Sequence, residues 1–152
     1  MIIISAMSED RVIGSGDGMP WSVPDEYQRY LETVAGQTVI MGRRSWDIFG
    51  KDLADTKNIV LTRQPEIDGA KVATSLELAL GMAVGAGRMV FVAGGSSVYG
   101  QAISIADEMY LSTIKGDFDG DSYFPDFDKS HWDVIREIDY GSYIFRHYSR
   151  TS

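Results

Sequence analysis

Cysteine is absent from all 152 residues, and only two histidines and four prolines occur. Without cysteine there is no disulfide framework, no thiolate metal site and no cysteine nucleophile. His131 and His147, with no cysteine to join them and no obvious partner acids, make a poor metal site, so none is expected. Positive charge is also scarce. Lys and Arg number 14 against 22 Asp and Glu, a formal net charge of −8, which disfavours nucleic acid or an anionic membrane as a partner. Apolar runs stop at about six residues, far below the roughly 20 a membrane helix needs. The opening stretch from Met1 to Arg11 lacks the charged segment and long apolar core of a secretory leader. No repeat, low-complexity tract or Pro/Ser-rich linker interrupts the chain. Hydrophobic residues make up 44% and charged residues 24%, near the globular average, which excludes disordered and fibrous classes. The expectation is one acidic domain over residues 1–152, monomeric and cytoplasmic.

The apolar runs that do occur predict strands at 2–7, 38–41, 58–61, 89–93 and 109–114. The middle three are continuously apolar and rich in β-branched residues, as in strands covered on both faces of a parallel sheet. Helices are expected at 24–35, 44–49, 75–84 and 97–105. Two strands at 132–140 and 143–149 flank Gly141-Ser142, a hairpin signal. The pattern is α/β: a mixed, mainly parallel central sheet with helices on both faces and an antiparallel C-terminal hairpin.

The helix from Pro24 is the most legible. Proline suits the first helical position, and Gly36 suits the end. Tyr27, Tyr30, Leu31 and Val34 form its apolar stripe; Asp25, Gln28, Arg29 and Glu32 form its wet face. Glu26 falls four before Tyr30, on the apolar side. It is either a first-turn acid favoured by the helix dipole or a pocket carboxylate for a ligand with paired N–H donors.

Three strand ends suit an anion. Val39-Ile40-Met41 leads into Gly42-Arg43-Arg44-Ser45; Ile59-Val60-Leu61 into Thr62-Arg63; Phe91-Val92-Ala93 into Gly94-Gly95-Ser96-Ser97. Glycine admits close backbone approach, helix N-termini offer free N–H groups, and arginine supplies a planar charged fork. Together they point to a dinucleotide, and Arg44 and Arg63 favour one with a 2′-phosphate, NADPH. Gly14-Ser15-Gly16-Asp17-Gly18 does not open a helix, so it reads as a mobile loop over the site.

Other groupings are plainer. Asp117, Asp119 and Asp121 alternate like a calcium loop, but Ser122 stands where that loop needs glycine, so they read as an acidic turn. Ser96 and Ser97 have no candidate histidine base. Met82, Met89 and Met109 read as core filler, and Tyr123, Phe124, Phe127 and Trp132 as a satellite core.

Taken in order, Asp10–Gly14, Met19-Pro20-Trp21, Pro24-Asp25-Glu26, Val39–Arg43, Lys57–Leu61, Gly94–Tyr99, Gly120-Asp121 and Phe124-Pro125 resemble the dihydrofolate reductase family over nearly the whole chain. The resemblance implies NADPH-dependent reduction of 7,8-dihydrofolate to 5,6,7,8-tetrahydrofolate, by hydride transfer to pterin C6 and protonation at N5. It implies that Glu26 holds the pterin, with Trp21 and Met19 completing the catalytic set. Ile4, Ala6, Tyr27, Tyr30, Phe49 and Leu53 would wall the substrate pocket, and Ser112 would bond the pocket acid. The implied cofactor contacts are Ala6, Ile13, Gly42, Arg43, Arg44, Ser45, Leu61, Thr62 and Arg63, then Ala93, Gly94, Gly95, Ser96, Ser97, Val98 and Tyr99, with a cis peptide between the two glycines. Two features depart from the family. Thr56 stands where the family carries an arginine for the folate α-carboxylate, and the final hairpin is shorter than in many members. Either Lys51 or Arg29 compensates for that arginine, or the substrate lacks the glutamate tail, as for a reductase of another reduced pterin such as a dihydromethanopterin, or of a riboflavin-pathway pyrimidine. A non-catalytic pterin- or dinucleotide-binding module is the third reading.

Overall fold

The computed structural model describes residues 1–151. Its elements run β1 (Ile2–Ser8), β2 (Val12–Gly14), α1 (Pro24–Val34), β3 (Thr38–Gly42), α2 (Arg43–Phe49), β4 (Lys57–Leu61), β5 (Lys71–Ala73), α3 (Leu76–Ala83), β6 (Val90–Val92), α4 (Ser96–Ala102), β7 (Glu108–Ile114), β8 (Ser122–Tyr123), β9 (Trp132–Asp139) and β10 (Tyr143–Arg150). Short 3-10 turns follow α2 (Gly50–Asp52) and precede β9 (Lys129–His131).

One eight-stranded sheet has the order β5-β4-β3-β6-β1-β7-β10-β9. The six strands from β5 to β7 are parallel; β10 and β9 add an antiparallel edge. The mixed sheet with its C-terminal hairpin agrees with the sequence reading. Strands β2, β5 and β8 were not anticipated. They hold two or three residues each, too few for a period to register. β2 and β8 pair as a separate ribbon beside the sheet.

The strands lack polar alternation because both faces are covered. Ile3, Ile40, Ile59 and Val92 point into one core with Leu76, Ala79 and Ala83 of α3 and Val98, Tyr99 and Ala102 of α4. Ile2, Ile4, Val39, Met41 and Phe91 point into the other with Val34, Tyr30 and Leu31 of α1 and Trp46 of α2. Burying an apolar side chain of this size contributes about 1.5–3 kcal/mol. The methionines divide: Met109 is fully buried, whereas Met82 and Met89 are each 44% exposed, so core filler is wrong for those two. Both sit where α3 and the turn before β6 leave the sheet's cover. Of the satellite aromatics, Phe124 and Trp132 are buried but Tyr123 is exposed.

The topology also creates the site. β1 and β6 are neighbours, yet β1 is followed by α1 on one face and β6 by α4 on the other. Where adjacent strands send their connections to opposite faces, a crevice opens beyond the carboxyl ends.

Candidate active site

The crevice holds two joined spaces. The larger, about 450 Å³, is lined by the ends of β3, β4 and β6 and the starts of α2 and α4. The smaller, about 90 Å³, lies deeper against α1 and β1. Ile13, Ser45, Phe49 and Gly95 line both, so the two are continuous.

Glu26 is 8% exposed and lies on the wall of the inner cavity. It sits in the first turn of α1, after Pro24 at the helix start. The Ser112 hydroxyl, from β7, donates to Glu26 Oε2 at 3.0 Å. Burial raises the Glu26 pKa above the ordinary 4.5; the Ser112 bond and the charge of Arg29 oppose that rise. Of the two readings of Glu26, the pocket carboxylate is the one that fits this burial. Ile4, Ala6, Tyr27, Tyr30, Phe49 and Met19 share the cavity with it. The Tyr27 hydroxyl donates to Asp52 Oδ2 at 2.6 Å, tying α1 to the turn after α2 at the mouth. Burial, that carboxylate and Glu26 push the Tyr27 phenol well above its usual range.

Three anticipated residues, Leu53, Trp21 and Ser112, do not line the cavity. Leu53 is buried and faces an adjacent cleft with Lys51, Trp46 and Thr56. Trp21 is buried behind the cavity, its ring edge-on to Phe118 at 5.5 Å. Ser112 reaches the cavity only through Glu26. The Thr56 hydroxyl is turned inward, 2.6 Å from Asn58 Oδ1 and 2.9 Å from the Leu53 carbonyl.

The two glycine turns of the outer groove are bonded together. The Gly42 N–H donates to the Gly94 carbonyl at 2.9 Å. The Gly94–Gly95 peptide is cis, and Gly94 has φ +128°. A Cβ at Gly94 would stand 2.8 Å from Ser45 Oγ, so a side chain here would crowd Ser45, which lines both spaces. Ala93, Gly94 and Tyr99 face the inner cavity. Ser96, Ser97, Val98, Leu61, Thr62 and Gly42 face the outer groove. The Tyr99 hydroxyl donates to the Ile4 carbonyl at 2.7 Å, joining α4 to β1 below the cavity.

Three arginines line the outer groove. Arg43 is held by Asp47 at 2.8 Å and also bonds Gln64. Arg44 donates to the Gly16 carbonyl, so the glycine-rich loop is tied to the groove it covers. Arg63 makes no side-chain hydrogen bond or ion pair among the described residues, and it is exposed. Gln101, Ile48, Thr74, Ser75 and Ser122 also line this groove and were not anticipated. Thr74 and Ser75 follow β5, the short strand the periodicity missed. Ser75 caps α3, accepting from the Leu78 N–H, a cap legible in the sequence but not assignable to a groove.

The arrangement is a buried carboxylate in an aromatic-walled cavity, opening past a glycine turn into a groove lined by three arginines. A family model described as dihydrofolate reductase matches residues 1–150. The dihydrofolate reductase of Neisseria meningitidis serogroup A is 35% identical over 157 residues, covering 97% of this chain and 96% of its own length. That of Bacillus subtilis is 35% identical, covering 87% of this chain and 79% of its own. A solved structure of dihydrofolate reductase from Enterococcus faecalis, complexed with NADP(H) and RAB-propyl, matches with a TM-score of 0.90 at 28% identity. It covers 99% of this chain and 96% of that one.

Proposed function

Because the chain belongs to the dihydrofolate reductase family, we propose that it reduces 7,8-dihydrofolate to 5,6,7,8-tetrahydrofolate with NADPH, as a cytoplasmic monomer. The observation that carries this reading is the single passage from the Glu26 carboxylate to the Gly94-Gly95 turn. A reduced nicotinamide, when bound, supplies the hydride that reaches pterin C6.

The chain's own residues do the rest. Glu26, bonded by Ser112, accepts the paired N–H donors of the pterin and fixes its plane. Ile4, Ala6, Tyr27, Tyr30 and Phe49 sandwich the ring, and Met19 with Trp21 behind it shields the cavity from water. Gly94 and Gly95 let a second flat ring approach the first, and holding two rings at reacting distance supplies several kcal/mol of the barrier, up to about 7–11. Gly42, Ser45, Ser96 and Ser97, which line the outer groove, would bound the phosphate path, and Arg44, Arg63 and Thr62 of the same groove would meet the 2′-phosphate end. The donor set therefore suits the cofactor: free N–H groups, hydroxyls and cations, with no carboxylate among the groove's lining residues. Proton delivery to N5 goes through water, since Glu26 already faces the far edge of the ring.

One observation favours a second reading, a reduced pterin without the glutamate tail. Thr56 offers no cation to the cleft beside the cavity, and its hydroxyl is spent on Asn58 and the Leu53 carbonyl. NADPH oxidation with 7,8-dihydrofolate and with a tail-less dihydropterin separates the two. Turnover of dihydrofolate at the lower KM supports the first reading. A much higher KM for dihydrofolate at equal kcat supports the second, because uniform binding alone would have been lost. Binding without turnover of either overturns both.

A further inference from the structure

Arg29 stands one turn after Glu26 on α1, so both side chains leave the helix on the same side. The sequence pattern puts Arg29 on the wet face; the structure half-buries it instead. Its guanidinium carbon lies 4.0 Å from the centroid of the Phe145 ring and 5.0 Å from that of Tyr140. Phe145 is the register partner of Ser112 across β7 and β10. Ser112 is the residue that donates to Glu26. Arg29, Phe145, Ser112 and Glu26 therefore close a ring around one strand pair.

Among the described residues, no ion pair engages Arg29. Aromatic faces attract a cation without cancelling its charge, so this seat stores a live positive charge beside the pocket acid. The other groups around Glu26 are the Ser112 hydroxyl from β7 that donates to it, and Tyr27 and Tyr30 from α1 and Tyr99 from α4, which share its cavity; the Tyr143 phenol from β10 also feels its charge. Burial holds all four phenols above their usual range, so they stay neutral where the enzyme works. Arg29 is the one cation of the set.

We propose that Arg29 is a positioning residue for the reductase reaction: from its seat against Phe145 and Tyr140, its charge favours the carboxylate form of Glu26 that grips the substrate ring. This rests on the reductase reading above. A cation in this place opposes the burial that favours the neutral acid.

The test is a titration of the full chain carrying 13C-carboxyl-labelled glutamate, with the Glu26 resonance assigned by its loss in Glu26→Gln. Alongside it runs the pH profile of single-turnover hydride transfer. Arg29→Met is expected to move the Glu26 midpoint up by about one pH unit, roughly a tenfold change in its ionisation constant. The single-turnover profile should move with it. Arg29→Lys, which keeps the charge, should titrate close to wild type. Arg29→Gln replaces the methionine variant if that one fails to fold. A midpoint fixed at the wild-type value in either measurement overturns the proposal, as does a lysine variant that titrates with the methionine one. The resonance titration needs no turnover, so an enzyme inactive on dihydropterins would sink the functional reading and leave this measurement standing.

Discussion

Arg63 gives the sharpest test of the cofactor assignment. It lines the outer groove at the end of β4, and no acid or carbonyl claims its guanidinium among the described residues. Arg43, by contrast, is already committed to Asp47 and Gln64. A hydrogen bond to a charged partner contributes about 1.5–3 kcal/mol. At about 1.4 kcal/mol per decade, Arg63→Ala should weaken NADPH binding by roughly 10- to 150-fold. Arg63 is exposed, and at physiological salt the Debye length is about 8 Å, so screening favours the lower end. The expected loss is about tenfold at that ionic strength, growing as salt is removed. Arg44→Ala should act similarly, because the phosphate must compete only with the Gly16 carbonyl for its guanidinium. Arg43→Ala should change binding less than either. The assay is the dissociation constant for NADPH and for NADH, measured by quenching of protein fluorescence in low and physiological salt. NADH lacks the 2′-phosphate, so its affinity should stay within about twofold. If neither Arg63→Ala nor Arg44→Ala changes the NADPH-to-NADH preference by more than about threefold, these arginines do not read that phosphate, and the argument from an unclaimed guanidinium fails.

Two further predictions concern stability. Glu26 has a folded pKa raised above the ordinary 4.5 by burial. A carboxyl raised on folding lends its stability fully below its unfolded pKa and loses it as pH climbs through the folded value. Glu26→Gln, which cannot ionise, should therefore melt higher than wild type at alkaline pH, with the gap closing in acid; a difference in Tm that does not vary with pH refutes the assignment. Gly120 sits against β2, where a Cβ would run into the Val12 side chain and the Gly14 carbonyl. Gly120→Ala should cost about 1–3 kcal/mol in urea unfolding, and a loss below about 0.5 kcal/mol would show that the turn relaxes freely.

The structure corrects the sequence reading most clearly at Arg29, Leu53 and the methionines. Helical periodicity ranks the faces of one helix by its own residues. It assigned Tyr30, Val34 and Glu26 to the buried side of α1, where the structure has them. It could not see that Phe145 and Tyr140, far along the chain, would return over Arg29. Leu53, which the resemblance puts on the pocket wall, is buried and lines a cleft beside the cavity. Met82 and Met89 are as apolar as Met109, yet only Met109 lies on a strand inside the sheet. The three short strands escaped for a different reason: two or three residues carry no period, and their pairing is fixed by neighbours, as Ile59 fixes Lys71.

Residue order alone determined the strand runs, the helix begun by Pro24, and the glycine and arginine turns at the carboxyl ends of β3, β4 and β6. These are local matters of apolar run length, fixed φ and backbone permissiveness. The tertiary structure decided which of those turns meet. The crevice exists because β1 and β6 lie side by side while their helices cover opposite faces. The environment of Glu26 is likewise built by a serine from β7, phenols from α4 and β10, and a cation held by aromatic rings of the closing hairpin. Distances between segments remote in the chain follow from packing both sheet faces at once, and no local pattern encodes that.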